Sequence, residues 1–320
     1  YTDTAPAQNS LIVVSGKRSK VIDYYDIYHY ESNMDYSSYS YTNDLVGFDA
    51  EGQLTSAIEY VTMESDDLPV IYQITGHDEG TLGSEFQTAV EKANMSLSSM
   101  ELLNEESVPD DASAIIINAP QKDFNEADAK KVIDYLKAGG KAIIIGSYTD
   151  TDMPNFDSIL ETYNVQFTKG VISENDAQHY YKMGGPFYLL PEVNSGDYTT
   201  NIGGNYVYVP ATLGITYPDS NSDSDTESDS EDSDKITYTS LMDTTDQSVA
   251  KNDPNNMSDY AFEDGDDKGP FSVGLAVEQT VDDNTTQIVV FGSPYIFSDD
   301  ASQLTSVSYT HLTLPTICSV

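Results

Sequence analysis

Apolar positions along this chain change period several times, and the changes divide it into regions. Residues 10–24, SLIVVSGKRSKVIDY, hold two short apolar runs on either side of Ser15-Gly16-Lys17-Arg18. That is the pattern of a hairpin with a charged, glycine-containing turn. From Gly52 to Tyr60 the apolar residues fall at helical spacing and predict a short amphipathic helix. From 69 to 168 two patterns alternate. PVIYQIT (69–75), ASAIIINAP (112–120) and KAIIIGS (141–147) read as buried strands, SLSSMELL (96–103) as a weaker strand and VQFT (165–168) as another. SEFQTAVEKANM (84–95), NEADAKKVIDYLKAGG (125–140) and NFDSILETY (155–163) read as helices. The second carries its own start and stop, with Asn125 as cap, Asp128 three residues on and Gly139-Gly140 after the last turn.

Continuous Ile and Val runs separated by amphipathic helices imply a mostly parallel sheet covered on both faces, a doubly wound α/β domain. Past 169 the text is strand-like and rich in loops: YVYVPATLGITY (206–217), KITYTSLM (235–242), FSVGLAVEQ (271–279) and QIVVFGS (287–293). The expected organisation is therefore a partial N-terminal hairpin-and-helix segment over 1–64 and an α/β domain over 65–306, with an acidic insertion at 218–234. Residues 219–234 hold eight acids in sixteen positions and no apolar side chain. Such a segment cannot bury enough to offset its ordering entropy, so a solvated surface loop is expected. Repeated Asp with Ser also suggests loose calcium binding, without the glycine and terminal glutamate of an EF-hand loop. Seven tyrosines lie between 24 and 41. They read as a half-exposed strand and loop surface, or as a platform for stacking on sugars.

Composition narrows the partners. The formal net charge is −40, with 54 Asp and Glu against 14 Lys and Arg, and Arg18 is the sole arginine. A surface this acidic repels nucleic acid and anionic lipid, so neither is expected as a partner. Acidity with abundant Tyr, Ser, Thr, Asp and Asn suits a domain outside the cytoplasm. No run of about eighteen apolar residues occurs, so no spanning helix is expected within this stretch.

The end of the chain, SVSYTHLTLPTICSV (306–320), is uncharged and holds the one cysteine, Cys318. Val307–Thr316 can be back-translated into a transposase-type library adapter, and the match extends to both sides. Residues 307–320 are therefore expected to be a fusion scar rather than native sequence. Without them the chain has no cysteine, and His29, His77 and His179 are the remaining histidines.

In a doubly wound sheet, ligands bind outside the carboxyl ends of the strands. The loops there are Thr75-Gly76-His77-Asp78-Glu79-Gly80, then Asn118-Ala119-Pro120, then Gly146-Ser147-Tyr148. The candidate ligand-binding residues are Gly76, His77, Asp78, Glu79, Asn118 and Ser147. A histidine with two carboxylates could act as an acid/base pair or supply metal ligands. Three consecutive residues cannot all point into one site, however, and acids near a helix start also suit its dipole, so TGHDEG also reads as a structural turn. GxGxxG, Walker A and GxSxG patterns are absent. No catalytic residue, metal site or cofactor is assigned.

The order of segments resembles the GldG-like auxiliary proteins of ABC-2-type transporters. SLIVVSGKRSKVIDYYDIY is similar to the family's leading strand pair. EGQLTSAIEYVT followed by VIYQITGHDEG resembles its helix, strand and TGHGE turn, with Asp78 where glycine is usual. IIINAPQKDFNEADAKKVIDYLKAGGKAIIIGSYTD, NFDSILETYNVQFTKGVISE, FSVGLAVEQ and QIVVFGSPYIFSDD resemble the segments that follow. The resemblance implies a class I amidotransferase-like fold without its catalytic cysteine, on the extracytoplasmic face of a bacterial membrane. It also implies membrane segments before and after this stretch, and an ABC permease and its ATPase as partners. The function expected on that basis is non-enzymatic, either docking the permease or binding cargo. A surface module for calcium or glycans is the alternative, and a hydrolase using His77 a further one.

Overall fold

The computed structural model describes residues 5–16, 18–35, 40–64, 68–200, 207–218, 235–253, 260–282 and 284–299. The acidic segment 219–234, Tyr36, Tyr39 and the tail 307–320 lie outside them. The chain divides into two units, one comprising residues up to Leu68 together with Glu91–Met95, the other Pro69–Val90 and everything from Ser96.

Unit 1 begins with the expected hairpin, β1 (Leu11–Ser15) and β2 (Arg18–Ile22), paired from Leu11 opposite Ile22 to Ser15 opposite Arg18. A single helical turn, α1 (Tyr24–Ile27), leads into a second hairpin, β3 (Tyr28–Asp35) and β4 (Ser40–Phe48). Helix α2 (Ala50–Thr62) packs on the first hairpin and buries Ala57 and Val61. The Lys20 ammonium donates to Asn94 Oδ1 at 2.6 Å and Ser56 Oγ at 3.2 Å. Burial lowers its pKa, against the pull of Glu91 and Asp26.

Unit 2 opens with β5 (Val70–Thr75), α3 (Ser84–Lys92, shared with unit 1 from Glu91), β6 (Ser96–Glu101), β7 (Ala112–Asn118), α4 (Glu126–Lys137), β8 (Lys141–Ile145) and α5 (Pro154–Glu161). Then come β9 (Gln166–Ser173), β10 (Tyr188–Leu189), β11 (Glu192–Val193), β12 (Val209–Pro210), β13 (Leu213–Thr216), β14 (Ile236–Asp243), β15 (Val249–Lys251), β16 (Asp267–Lys268), β17 (Ser272–Val281) and β18 (Asn284–Phe291).

The fold is mixed α/β, with few helices and a central parallel run, β6-β5-β7-β8-β18. Side chains alternate between the two faces of these strands. Ile115, Ile117, Ile144, Ile288 and Val290 join one core with Val132 and Leu136 of α4 and Phe156 and Ile159 of α5. On the other face Phe86 of α3 packs on Phe297, which meets Phe291. Helix α4 starts as read: Asn125 Oδ1 accepts from the Asp128 N–H at 2.9 Å, and Gly139 leaves the helix at φ +93°.

Two expectations need correction. The VQFT strand does not extend the parallel run; as β9 it pairs antiparallel with β13 and β15. The strand beside β8 is instead β18, the QIVVFGS segment, brought back from far along the chain. A short polar-flanked strand takes its direction from whichever edge is open, which local pattern does not encode. The tyrosine segment is also more regular than a strand and loop surface, because 40–48 forms a second strand opposite it.

Candidate functional site

Within the parallel run the first strand, β5, sits between the second and the third, so the connections leaving β5 and β7 diverge at their carboxyl ends. That divergence is where a sheet of this type opens a crevice. Thr75 ends β5, Gly76 turns at φ +119°, and the His77 carbonyl accepts the N–H groups of Gln121 and Lys122, both at 3.0 Å. Asn118 ends β7 and clamps the far side of the same turn. Its carbonyl accepts from Gly80 N–H at 2.7 Å, and its Nδ2 donates to the Gly80 carbonyl at 2.9 Å. Gln73 Nε2 donates to that carbonyl too, at 3.1 Å.

The turn folds His77 and Glu79 together and sends Asp78 away. His77 Nδ1 lies 2.9 Å from Glu79 Oε1, and the His77 backbone N–H donates to Glu79 Oε2 at 2.8 Å. Both side chains are buried, Glu79 to 3% exposure. Asp78, at φ +56°, points to solvent and pairs with Lys122 at 2.7 Å. The opposite ring nitrogen, Nε2, stands 3.9 Å from Asp128 Oδ2, and the ring lies flat on Phe124, centroids 3.8 Å apart and planes within 8°.

Asp128 in turn is held by Lys131 Nζ at 2.9 Å and Asn125 Nδ2 at 2.5 Å, while Lys131 also donates to the Leu102 carbonyl. The acid that caps the following helix α3 is neither Asp78 nor Glu79. It is Asp299, which accepts from the Ser84 and Glu85 N–H groups; these hold its pKa below the usual range, against the opposing effect of burial. The helix-dipole reading of the turn acids therefore does not hold.

This arrangement limits the chemistry. The two carboxylates approach opposite nitrogens of one ring, so they cannot converge on a single ion, and no group of three potential ligands occurs among the described residues. Asn118 is buried, with its Oδ1 unpartnered. Ser147 bonds within its own loop, to the Tyr148 carbonyl at 3.3 Å. The structure thus brings His77 and Glu79 together, ties both to Asn118 through Gly80, and leaves Asp78 outside. Phe124, Asp128 and Lys131 complete the cluster and were missed. Their one sequence signal was the three-residue spacing Asn125, Asp128, Lys131, which reads only as a helix start.

No family model and no curated protein sequence matches the chain. Among solved structures, the mmIFT52 N-terminal domain superposes with a TM-score of 0.52 at 13% identity, covering 76% of this chain and 93% of that one. This is a likeness of fold. PurLQS from Thermotoga maritima gives 0.29 at 15% identity, over 48% of this chain and 72% of that one. The exo-β-1,4-mannosidase Op5Man5 from Opitutaceae bacterium strain TAV5 gives 0.32 at 9%, over 78% and 34%. Neither of these two likenesses carries an argument.

Proposed function

We propose that this chain is a non-enzymatic, extracytoplasmic accessory domain of an ABC-2-type transport complex, acting by docking the permease or binding cargo. The observation that carries the non-enzymatic part is the His77 cluster. Both ring nitrogens face carboxylates and one ring face is covered by Phe124, inside a network that also fixes the start of α4. A general base needs a nitrogen within reach of a substrate proton; Nδ1 is taken by Glu79 and Nε2, 3.9 Å from Asp128, belongs to a side chain only 10% exposed, which supports reading the imidazole as the centre of a structural latch.

The transport part rests on the order of segments shared with GldG-like auxiliary proteins. The parallel run with its switch after β5 supports the finer reading of a class I amidotransferase-like fold. The same order of segments is the ground for proposing membrane segments before and after this stretch; among the described residues no helix is long and apolar enough to cross a membrane. The partners on this reading are the permease and its ATPase. Co-purification of the full-length protein with the neighbouring permease in detergent is the expected result. Failure to associate at several salt concentrations would remove the transport reading.

A further inference from the structure

The β3–β4 ribbon of unit 1 has two unlike faces. Its register places Tyr28, Tyr30, Ser32 and Met34 of β3 on one face, opposite Phe48, Leu45, Asn43 and Tyr41 of β4. None of the eight is charged. On the reverse face β4 carries Thr42 and Asp44. Between the His29–Gly47 and Tyr30–Leu45 pairs Val46 is an extra residue, a bulge that bends the strand. Tyr41, Leu45, Val46 and Phe48 remain 71%, 54%, 60% and 64% exposed. Tyr24 stacks on Tyr28, and Tyr28 meets Phe48 at a tilt of 56°, so the rings stiffen the face without covering it.

We propose that this uncharged face is a self-association surface, on which a second copy of the chain docks face to face. Two observations favour that occupant. First, its most exposed side chains, Tyr41, Phe48, Val46 and Leu45, are the aromatic and aliphatic types that the cores of protein contacts favour. Second, the face is neutral on a chain of net charge −40. A basic partner would be met by acids for steering, whereas two copies of an acidic chain can meet only where acids are missing. Pairing also remedies a weakness of the ribbon, because a two-stranded hairpin alone is marginal in water and four strands sharing an apolar layer are not. The inference does not depend on the transport reading.

The test is sedimentation velocity on the full chain over a range of concentrations at low and high NaCl. A dimer is expected whose share rises with concentration and with salt, since salt screens the repulsion between the acidic bodies. Phe48→Ser is expected to weaken it at least about tenfold, and Asp44→Asn on the reverse face to preserve it. In a Cys318→Ser background, Leu45→Cys is expected to form a covalent dimer on oxidation, and Thr42→Cys to stay monomeric. A monomer at every concentration and salt would overturn the proposal. So would a dimer that salt weakens, one indifferent to Phe48→Ser, or equal crosslinking through Thr42→Cys.

Discussion

The His77 turn of unit 2 and the β3–β4 ribbon of unit 1 are built from similar residue types, aromatic rings beside acids, arranged in opposite ways. In the turn the ring of Phe124 is buried against an imidazole, and Glu79 and Asp128 are buried with partners on every side. In the ribbon the rings of Tyr41 and Phe48 are exposed and their face is uncharged. The difference teaches that a histidine beside carboxylates at a strand's carboxyl end can be drawn into a buried network, while the exposed apolar surface lies in a hairpin with no chemical motif. What separates the two is whether neighbouring segments supply partners. Helix α4 and the Asn118 strand end do so for the turn; the ribbon has β3 and β4 and the short α1 beside them.

Substitutions in the two regions should differ widely in cost. The largest effect is expected at Lys251, the extreme case of burial with full pairing in unit 2. Its side chain has no exposure and bonds Asp266 at 2.7 Å and Glu263 at 3.0 Å. Lys251→Ala leaves Asp266 buried without its cation and is expected to cost about 3–5 kcal/mol in urea unfolding, with Lys251→Met/Asp266→Leu recovering most of it. Ile144→Ala, in the centre of the parallel run, is expected to cost about 2–5 kcal/mol. Leu45→Ala on the ribbon should stay within about 0.5 kcal/mol for the protomer. Equal costs at Ile144 and Leu45 would erase the distinction between the units.

The next effect in size belongs to the latch. His77→Ala removes the Glu79 bond and the stack on Phe124, and is expected to cost about 1–3 kcal/mol. The loss should appear as lower stability, with the binding of added ligands unchanged.

A further effect is a pH slope. Partial burial, then the neighbouring Glu161, Asp123 and Asp152, push Asp157 up to about 6 from its usual 3.8. Between those values the folded chain holds a proton that the unfolded chain releases, so the penalty of the charged carboxylate is full above about 6 and fades as pH falls through the window. Asp157→Asn is expected to raise Tm near neutral pH, with the gain vanishing by about pH 4. A gain that grew on acidification would have the wrong sign.

Much of unit 2 was legible because Ile115–Ile117 and Ile143–Ile145 form apolar runs that only a doubly covered strand tolerates, and because Asn125 and Gly139 punctuate α4. Pairing direction was not legible. β9 and β18 both look like central strands, and only the assembled sheet decides that one runs against its neighbours and the other with β8. β4 was missed because Ser40, Thr42, Asn43 and Asp44 are polar around the single Tyr41, and a run without clear alternation reads as loop. The candidate site was half legible. His77, Asp78 and Glu79 were candidates together, and only the fold decides that His77 meets Glu79 while Asp78 turns away; Asp128 and Phe124 arrive from α4 and its approach, and adjacency in sequence says nothing about them.

The packing of Glu79, Phe124 and Asp128 around His77 is expected to keep its imidazole from binding a ligand. That expectation is tested most directly by following the imidazole nitrogens of the ¹⁵N-histidine-labelled full chain during titration with Zn²⁺. The His77 signals are expected to stay fixed while those of His29, exposed on the ribbon, shift or broaden. A zinc-dependent change at His77 would show an imidazole free to bind, and would contradict the structural reading of the turn.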